Sequence, residues 1–573
     1  MAGKSAWSDP RLSLVVAVAV GLWVPLARLQ WFWGHEQYSY VVRTVEWAAE
    51  LRAGELYPRW SPDLYGGYGS PFFVFFAPVT YALAGFLSAT WLTPFEGLKA
   101  VGLFGSILSG LSVYALVYGE TRQRDAALLG ALAYLGAPYR IGNMYDRGDF
   151  GEFTCIALLP LVIALYRGAA LDPRPLRARW FAAGASVLHA VVVMTHPVLG
   201  LWSTALIGLI VGATAIRLFF VRAWRRALLL VFAVACAPGV AGIYVLPAMV
   251  YRDSAQTARM VIGFYRAQDH WLPLKTLFVE YTWLFNRNFL QVGQLAAAAG
   301  IVAILAVLVK GRRGLAAWPW MAIVLLLVFL NMKEASGFWA PDRLPLTKFT
   351  QFPFRLLGLV ALFSSLALGV AMAPLWERLS PSLRTSIAVG AAATYFFVIS
   401  WPYPSAREMP YAGIPADPES VRQGIHAASD ANEFLPAGAP VPGATRRELV
   451  AGTDGATVEY SFSDGSRHAI EARAKHRGAR LRLALHGFDG WQVDTVSGPA
   501  DATLETDRQA HIVLRLPSPG EYRLRLHFGG TLASRLGTFL SVVSLLALGA
   551  MVSHGSRFWP GRLTLRRFAP RTA

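Results

Sequence analysis

Apolar runs close to the length of a membrane-crossing helix recur along this chain, and short arginine clusters separate them. About 20 apolar residues are needed to cross the hydrocarbon core of a bilayer as a helix. With 573 residues, 55% hydrophobic and 15% charged, the chain reads as a polytopic α-helical membrane protein. A net charge of +18 raises the question of nucleic acid. The excess arginines, however, fall in the connections between apolar runs, where the positive-inside rule expects them, so no nucleic-acid partner is expected.

The basic clusters also set an orientation. Arg122/Arg124, Arg167 to Arg179, Arg217 to Arg226, Lys310 to Arg313, Arg378/Arg384 and the tail after Arg557 all face the cytoplasm if the chain crosses about twelve times. The expected spans are Leu12–Trp31, Phe95–Tyr118, Ala126–Ala137, Phe153–Tyr166, Trp180–Met194, Leu201–Phe220, Leu228–Val250, Val292–Val309, Trp318–Leu330, Phe354–Ala373, Ser386–Ile399 and Leu536–Val552. Both termini are then cytoplasmic, in a multi-pass protein of the bacterial inner membrane. The apolar run Pro71 to Trp91 is left out, because counting it would move every later basic cluster outside; it is read as interfacial or re-entrant. Cys155 and Cys236, the only cysteines, lie in apolar runs, so neither a disulfide framework nor a thiolate metal site is indicated.

This map gathers the polar, aromatic-rich connections on one external face: 34–70, 139–152, 195–199, 251–291, 331–353 and the long segment 401–531. Within the last, ATVEYSF, RHAIEARA, ARLRLAL, AHIVLRL and YRLRLHF alternate polar and apolar residues between Asp-Gly, Gly and Pro turns, the pattern of a β-sandwich. The expected division is a transmembrane domain with external loops over 1–403, an external β-rich domain over 404–532, and a final helix with a basic cytoplasmic tail over 533–573.

The external loops carry ordered motifs. An acidic residue follows the first helix in Gly34-His35-Glu36, and then come Gly54-Glu55-Leu56-Tyr57-Pro58-Arg59-Trp60, Gly66-Gly67-Tyr68-Gly69-Ser70-Pro71 and Ala77-Pro78-Val79-Thr80-Tyr81. Tyr145-Asp146-Arg147-Gly148 with Glu152, His196 after a span, Gln351-Phe352-Pro353-Phe354-Arg355 before a span, and Gly490-Trp491-Gln492-Val493 complete the set. This order resembles the GT-C superfamily of membrane glycosyltransferases. It looks most like the bacterial branch known as YfhO-like or 6-pyruvoyl-tetrahydropterin synthase-related membrane proteins, with Glu36 standing where that pattern usually has Asp.

The resemblance implies a sugar donor linked to polyprenyl phosphate, an envelope glycan, lipid or protein as acceptor, and a first-loop acid as general base. The residues themselves are compatible with that chemistry. Inverting transfer needs one carboxylate to take the acceptor proton and cations to stabilise the departing phosphate. Glu36 is the first choice as base, with Asp63, Asp146 and Glu152 as catalytic alternatives and Asp149 as a further rival. Arg59, Arg147, Lys348 and Arg355 are candidates for the donor phosphate, since arginine offers a bidentate fork. Tyr38, Trp60, Tyr68, His196 and His270 are candidates for sugar or acceptor contact. No cofactor is implied, a divalent cation is left open, and no metal ligand is assigned. His35-Glu36 lacks the second histidine of a zinc-protease motif, Ser39 standing at the required spacing. Two other classes fit the same pattern: a transporter or flippase of lipid-linked saccharides, and a non-catalytic assembly factor in which the β-domain binds glycan.

Overall fold

The structure, a computed structural model, describes residues 9–278, 290–339, 343, 347, 349–397, 408–409, 414–427, 429 and 431–558. It is a polytopic helical protein with a β-sandwich near its carboxy terminus. Among the described residues, seven helical stretches are long and apolar enough to cross a membrane, or eight if the bent pair Trp224–Val240 and Gly242–Val250, at 58° to each other, is one span. The stretch Gly293–Asn331 doubles back on itself. A 3-10 turn at Gly311–Ala317 brings Gly314 against the backbone of Ala306 and Met321 against Gly300.

Local sequence sets where these helices begin. Pro94–Thr121 starts with a capping box in which Thr93 and Glu96 satisfy each other's backbone donors, and it stops at Arg122 in the left-handed region. At about 1.5 Å per residue its 28 residues exceed the thickness of the hydrocarbon core. Leu357–Leu375 is buried along nearly its whole length and packs on Arg124–Leu135, Gly293–Lys310 and Trp318–Asn331. It is the axis of the bundle.

Two apolar runs show detail beyond the sequence pattern. The first span breaks after Gly21, where Leu22 and Trp23 leave the helix, and resumes only as the short turn Val24–Arg28. Proline at position 25 removes the donor that would have continued the ladder. The run Pro71 to Trp91 forms a one-turn helix, Phe72–Phe75, and a 12-residue helix, Val79–Thr90. That helix is about 18 Å long by its rise per residue, well short of the hydrocarbon thickness.

A two-residue ladder pairs β1 (Trp31–Phe32) with β2 (Glu408–Met409). The sandwich follows: β3 (Val450–Asp454), β4 (Ala456–Asp464), β5 (Arg467–Ala474), β6 (Ala479–His486), β7 (Trp491–Ser497), β8 (Thr503–Thr506), β9 (His511–Leu516) and β10 (Gly520–Phe528). One antiparallel sheet has the order β4-β5-β10-β7, the other β3-β6-β9-β8. Their cores are filled by alternate residues, as the period of a strand requires: Ile470 and Ala472, Leu481 and Leu483, Ile512 and Leu514, Leu524 and Leu526 are all buried. β10 leads straight into the final helix Leu532–Phe558.

The sandwich and the segment before it dock on the first loop. Ser466 donates to Glu50 at 2.8 Å, Arg467 to Glu55 at 2.8 Å, and Arg422 is paired with Asp63. The His486 N–H donates to the Tyr68 carbonyl, and its ring meets the Gly69 carbonyl at 2.7 Å. Gly69 is needed for this seam: φ there is +78°, and a Cβ would lie 2.5 Å from the Trp60 indole nitrogen.

Candidate active site

Four helix starts converge on one cluster of charges. Glu36 is the N-cap of Gln37–Arg52, Asp149 that of Phe150–Leu171 and His196 that of Pro197–Phe220. Arg355 lies in the 3-10 turn Pro353–Leu356 that leads into Leu357–Leu375. Helix starts present unpaired N–H groups and the positive end of the helix dipole, so their meeting point favours negative charge.

The first loop is fastened to this point through its backbone. The His35 N–H donates to the Asp146 carbonyl at 3.3 Å and the Glu36 N–H to the Arg147 carbonyl at 2.7 Å. Gly148 makes the approach feasible: φ is +62°, and a Cβ there would sit 2.5 Å from the Gln37 Cβ.

Arg147 is the hub. It donates to Glu152 at 2.6 Å, to Glu36 at 3.0 Å and to Asp149 at 3.1 Å. Arg355 lies 3.4 Å from Asp149, 3.5 Å from Glu152 and 3.4 Å from Glu36, and also touches the His196 ring. Its Nε is buried without a hydrogen-bond partner. Tyr40 donates to Asp149 at 2.9 Å and Tyr139 to Glu152. The Glu152 N–H closes the N-cap of its helix on Asp149 at 2.9 Å. Of the three acids only Glu36 has an open edge. Its side chain is 27% exposed, whereas those of Asp149 and Glu152 are fully buried.

The electrostatics separate the groups. Burial, reinforced by Asp149, pushes the Glu36 carboxyl above its ordinary range, against the pull of Arg355, Arg147 and Arg43. For Asp149 burial acts in the same direction but is overcome by the groups facing it, His196, Arg147 and Arg355, and by the Glu152 N–H, so its pKa lies well below the usual carboxylate range. Burial pushes the His196 imidazole down to about 3, with Arg355 adding to the effect. Near neutral pH the site therefore holds one firmly ionised acid, one more basic acid at the surface and a neutral histidine.

Asp149, Glu152 and His196 each offer a ligand atom within 4.8 Å of the others. The carboxylate oxygens in question already accept from Arg147 and Arg355, and two guanidiniums oppose a divalent cation at that position. The donor set does not fit a metal while those arginines are in place.

The other sequence candidates lie elsewhere. Asp146 lends its backbone carbonyl to the loop contact. Asp63 is paired with Arg422 beside Glu46, in the seam with the carboxy-terminal segment. Arg59 reaches the Ile243 carbonyl and Thr538, bracing the break between Val240 and Gly242. Trp60, read as a sugar platform, is buried against Trp491 and Phe528, so its faces are taken by the β-domain. Tyr68 packs on His486 and His511 in the same seam. Tyr38 is hydrogen-bonded to His426 at 2.7 Å. His270 contacts the Phe264 carbonyl and packs on Phe352, next to the site but turned toward rings. Lys348 lies outside the described residues.

Two contributors carry weaker sequence signals. Asp149 stands three residues before Glu152, the spacing of an N-cap acid with a first-turn acid, and that pattern points to a helix start at this position. Arg43 sits in an otherwise ordinary amphipathic stretch, and no motif marks it.

No family profile and no curated protein sequence matches the chain. Among solved structures it is similar to the arabinofuranosyltransferase AftD from Mycobacteria, with a TM-score of 0.45 and 14% identity over 71% of this chain and 27% of that one. It is also similar to the oligosaccharyltransferase AglB from Archaeoglobus fulgidus, solved with an inhibitory peptide and a dolichol-phosphate (TM-score 0.42, 14% identity, 76% of this chain and 61% of that one). A third is ArnT from Cupriavidus metallidurans bound to undecaprenyl phosphate, at a TM-score of 0.40 and 16% identity over 73% of this chain and 69% of that one. The chain thus spans 27% of the first and 61% of the second.

Proposed function

We propose that this protein is a GT-C-type membrane glycosyltransferase that moves a sugar from a polyprenyl-phosphate-linked donor to an acceptor hydroxyl at the external face, with inversion. The observation that carries this is the position of Glu36: a surface-open carboxylate within hydrogen-bond reach of Arg147 and Arg355, where four helix starts meet. The acceptor hydroxyl approaches Glu36 from the open side and gives up its proton. Its oxygen forms a bond to the anomeric carbon from the face opposite the phosphate. The bond from that carbon to the phosphate oxygen breaks, and the electron pair leaves on the polyprenyl phosphate. Arg147 and Arg355 stabilise that charge, and the spare Arg355 Nε adds a donor. An elevated pKa suits Glu36 to accept a proton near neutral pH.

In the same proposal the chain crosses the membrane about twelve times, the loops and the β-rich domain from about 404 to 532 face outside, and both termini are cytoplasmic. The decisive experiment incubates purified protein with polyprenyl-phosphate sugars and follows sugar leaving the lipid. A transporter or an assembly factor would bind such lipids and leave the sugar–phosphate bond intact. Intact donor in every combination of polyprenyl-phosphate sugar and envelope acceptor would overturn the enzymatic reading.

A further inference from the structure

His196 caps the helix Pro197–Phe220 with its ring: the Leu199 N–H donates to Nδ1 at 3.1 Å. A ring nitrogen that accepts from a backbone amide holds a lone pair there, so the hydrogen of the neutral imidazole sits on Nε2. The ring is buried, and Nε2 faces two groups. Asp149 Oδ2 lies 3.8 Å away, the one carboxylate oxygen within 4.0 Å of Nε2 among the described residues. Nη1 of Arg355 touches Nε2 and lies 3.4 Å from that same Asp149 oxygen. Two N–H donors thus stand against one acceptor.

The two arginines of the site are held unequally. Arg147 is anchored by contacts of 2.6, 3.0 and 3.1 Å. Those of Arg355 are 3.4 Å to Glu36, 3.4 Å to Asp149 and 3.5 Å to Glu152, and its Nε is buried with no hydrogen-bond partner. A guanidinium with long contacts and an unused donor loses little when it turns to a stronger acceptor. It leaves behind a buried carboxylate oxygen that has lost a donor, and such a loss is costly unless another donor takes its place. Asp149 keeps Tyr40 and the Glu152 N–H on Oδ1 and Arg147 on Oδ2. The Nε2–H of His196 is the replacement already in position.

We propose that His196 is a positioning residue that exchanges with Arg355 on Asp149: Arg355 turns onto a phosphate oxygen of the donor, and the His196 Nε2–H closes on the Asp149 oxygen that Arg355 vacates. Only hydrogen bonds change partners in this step. No proton is transferred, and the ring keeps its cap on the Leu199 N–H. The exchange lets the site bind a phosphate without stranding a buried carboxylate. It rests on the assignment of Arg355 to the donor phosphate above.

Solid-state NMR of the full-length protein in lipid bilayers, with isotope-labelled histidine, reads the ring directly; the His196 signals are those missing from His196→Asn or His196→Gln. The ring should carry its hydrogen on Nε2, and the Nε2 signal should shift when undecaprenyl phosphate is added. Arg355→Met, which removes the competing donor, should shift it in the same sense with no lipid present. Binding then separates the exchange from the cap. His196→Asn keeps a capping oxygen and loses the reach, so affinity for undecaprenyl phosphate should fall about three- to tenfold, the worth of one hydrogen bond, at an unchanged unfolding temperature. His196→Gln keeps a donor at the distance of Nε2 and loses the cap, so it should bind like wild type and unfold at lower temperature. A hydrogen on Nδ1, a ring unmoved in Arg355→Met, or equal weakening in both His196 variants overturns the proposal. Should His196→Asn fail to fold, the tautomer and the Arg355→Met spectrum decide it. A ring that moves in Arg355→Met, in a protein that binds no polyprenyl phosphate, would sink the donor assignment and leave the exchange on Asp149 standing.

Discussion

Two buried knots of acid and arginine lie along one 16-residue helix, Gln37–Arg52. At its start, Glu36, Asp149 and Glu152 each meet Arg147 and Arg355. Toward its far end, Glu46, Glu50 and Asp63 gather in the seam with the carboxy-terminal domain, where Arg422 is bonded to Asp63 and one oxygen each of Glu46 and Glu50 has no hydrogen-bond partner. The first cluster sets three acids against two arginines, each acid meeting both, and keeps an edge open to solvent at Glu36. The second is short of cations and closed. Burial with too little positive charge raises the affinity for protons, so the Glu50 carboxyl is pushed up to about 7 and Glu46 well above its ordinary range. Two shared guanidiniums keep Asp149 firmly ionised in the first cluster, whereas the second makes a contact that responds to pH.

The contrast is broken most severely by exchanging bases for amides. Glu36→Gln should lower turnover by a factor of about 10²–10⁴, the usual contribution of a general base, with the thermal unfolding profile unchanged. Glu46→Gln at the other end of the helix should leave turnover intact. If both substitutions abolish transfer, the two knots are one functional unit and the distinction fails.

Removing Asp149 from the first cluster takes a buried acceptor from Arg147, Arg355 and Tyr40 at once. Asp149→Ala should cost about 3–5 kcal/mol of stability, the range for breaking a buried pair, measured by thermal denaturation in detergent. Asp63→Asn should cost no more than about 1 kcal/mol, because Arg422 is one-third exposed and water can take over its solvation. Similar losses at both places would show that the seam is as charge-critical as the site.

Arg355→Ala should weaken binding of a polyprenyl phosphate by about 1.5–3 kcal/mol, the range for hydrogen bonds to charged groups. Arg355→Lys should recover only part of that, since the fork is lost. Equal affinity in titrations of wild type and both variants would remove Arg355 from the phosphate site.

The smallest expected effect is a pH dependence of docking. In the undocked state Glu50 regains an ordinary carboxyl pKa, and in the docked state that pKa is raised to about 7. The docked form therefore holds more protons, and this contribution to docking is complete below the ordinary range and is lost as pH rises through about 7. His486 works the other way: burial lowers its imidazole to about 4, so its contribution is lost as pH falls below 6.5. Above that point the carboxyls alone decide. Proteolytic cutting between the first loop and the sandwich should accelerate as pH rises from 6.5 through about 7 and level off above it, and Glu50→Gln should flatten the rise. A rise that persists in Glu50→Gln would place the sensor elsewhere.

Much of the outline was legible in the sequence. Apolar runs and capping residues announce the helices, and alternation over 456–528 announces the sandwich, because both are local patterns that a bilayer or a two-sheet core reads directly. The charged cluster of the candidate site was legible where motif and helix end coincide, at Glu36, Arg147 and Arg355. What sequence could not reveal is the docking of distant segments. Trp60 and Tyr68 look like sugar platforms in an external loop, yet the residues that cover them, Trp491, Phe528 and His486, lie more than four hundred positions away. The same holds for Arg43, whose partners Phe72 and Phe76 arrive only once the apolar segment folds back.

The pair of backbone hydrogen bonds that joins His35 and Glu36 to Asp146 and Arg147 has a mechanical consequence. Helices in a bilayer tilt and slide as membrane thickness changes, each element answering to its own hydrophobic length. Without a direct tie between the two helix starts, the distance between the Glu36 carboxylate and the Arg147 guanidinium would vary with lipid composition. Here the carboxylate and the guanidinium stand on two segments, one entering Gln37–Arg52 and one preceding Phe150–Leu171, that two backbone hydrogen bonds clamp together. They are carried together when the helices shift, and their spacing is insulated from the elasticity of the surrounding membrane.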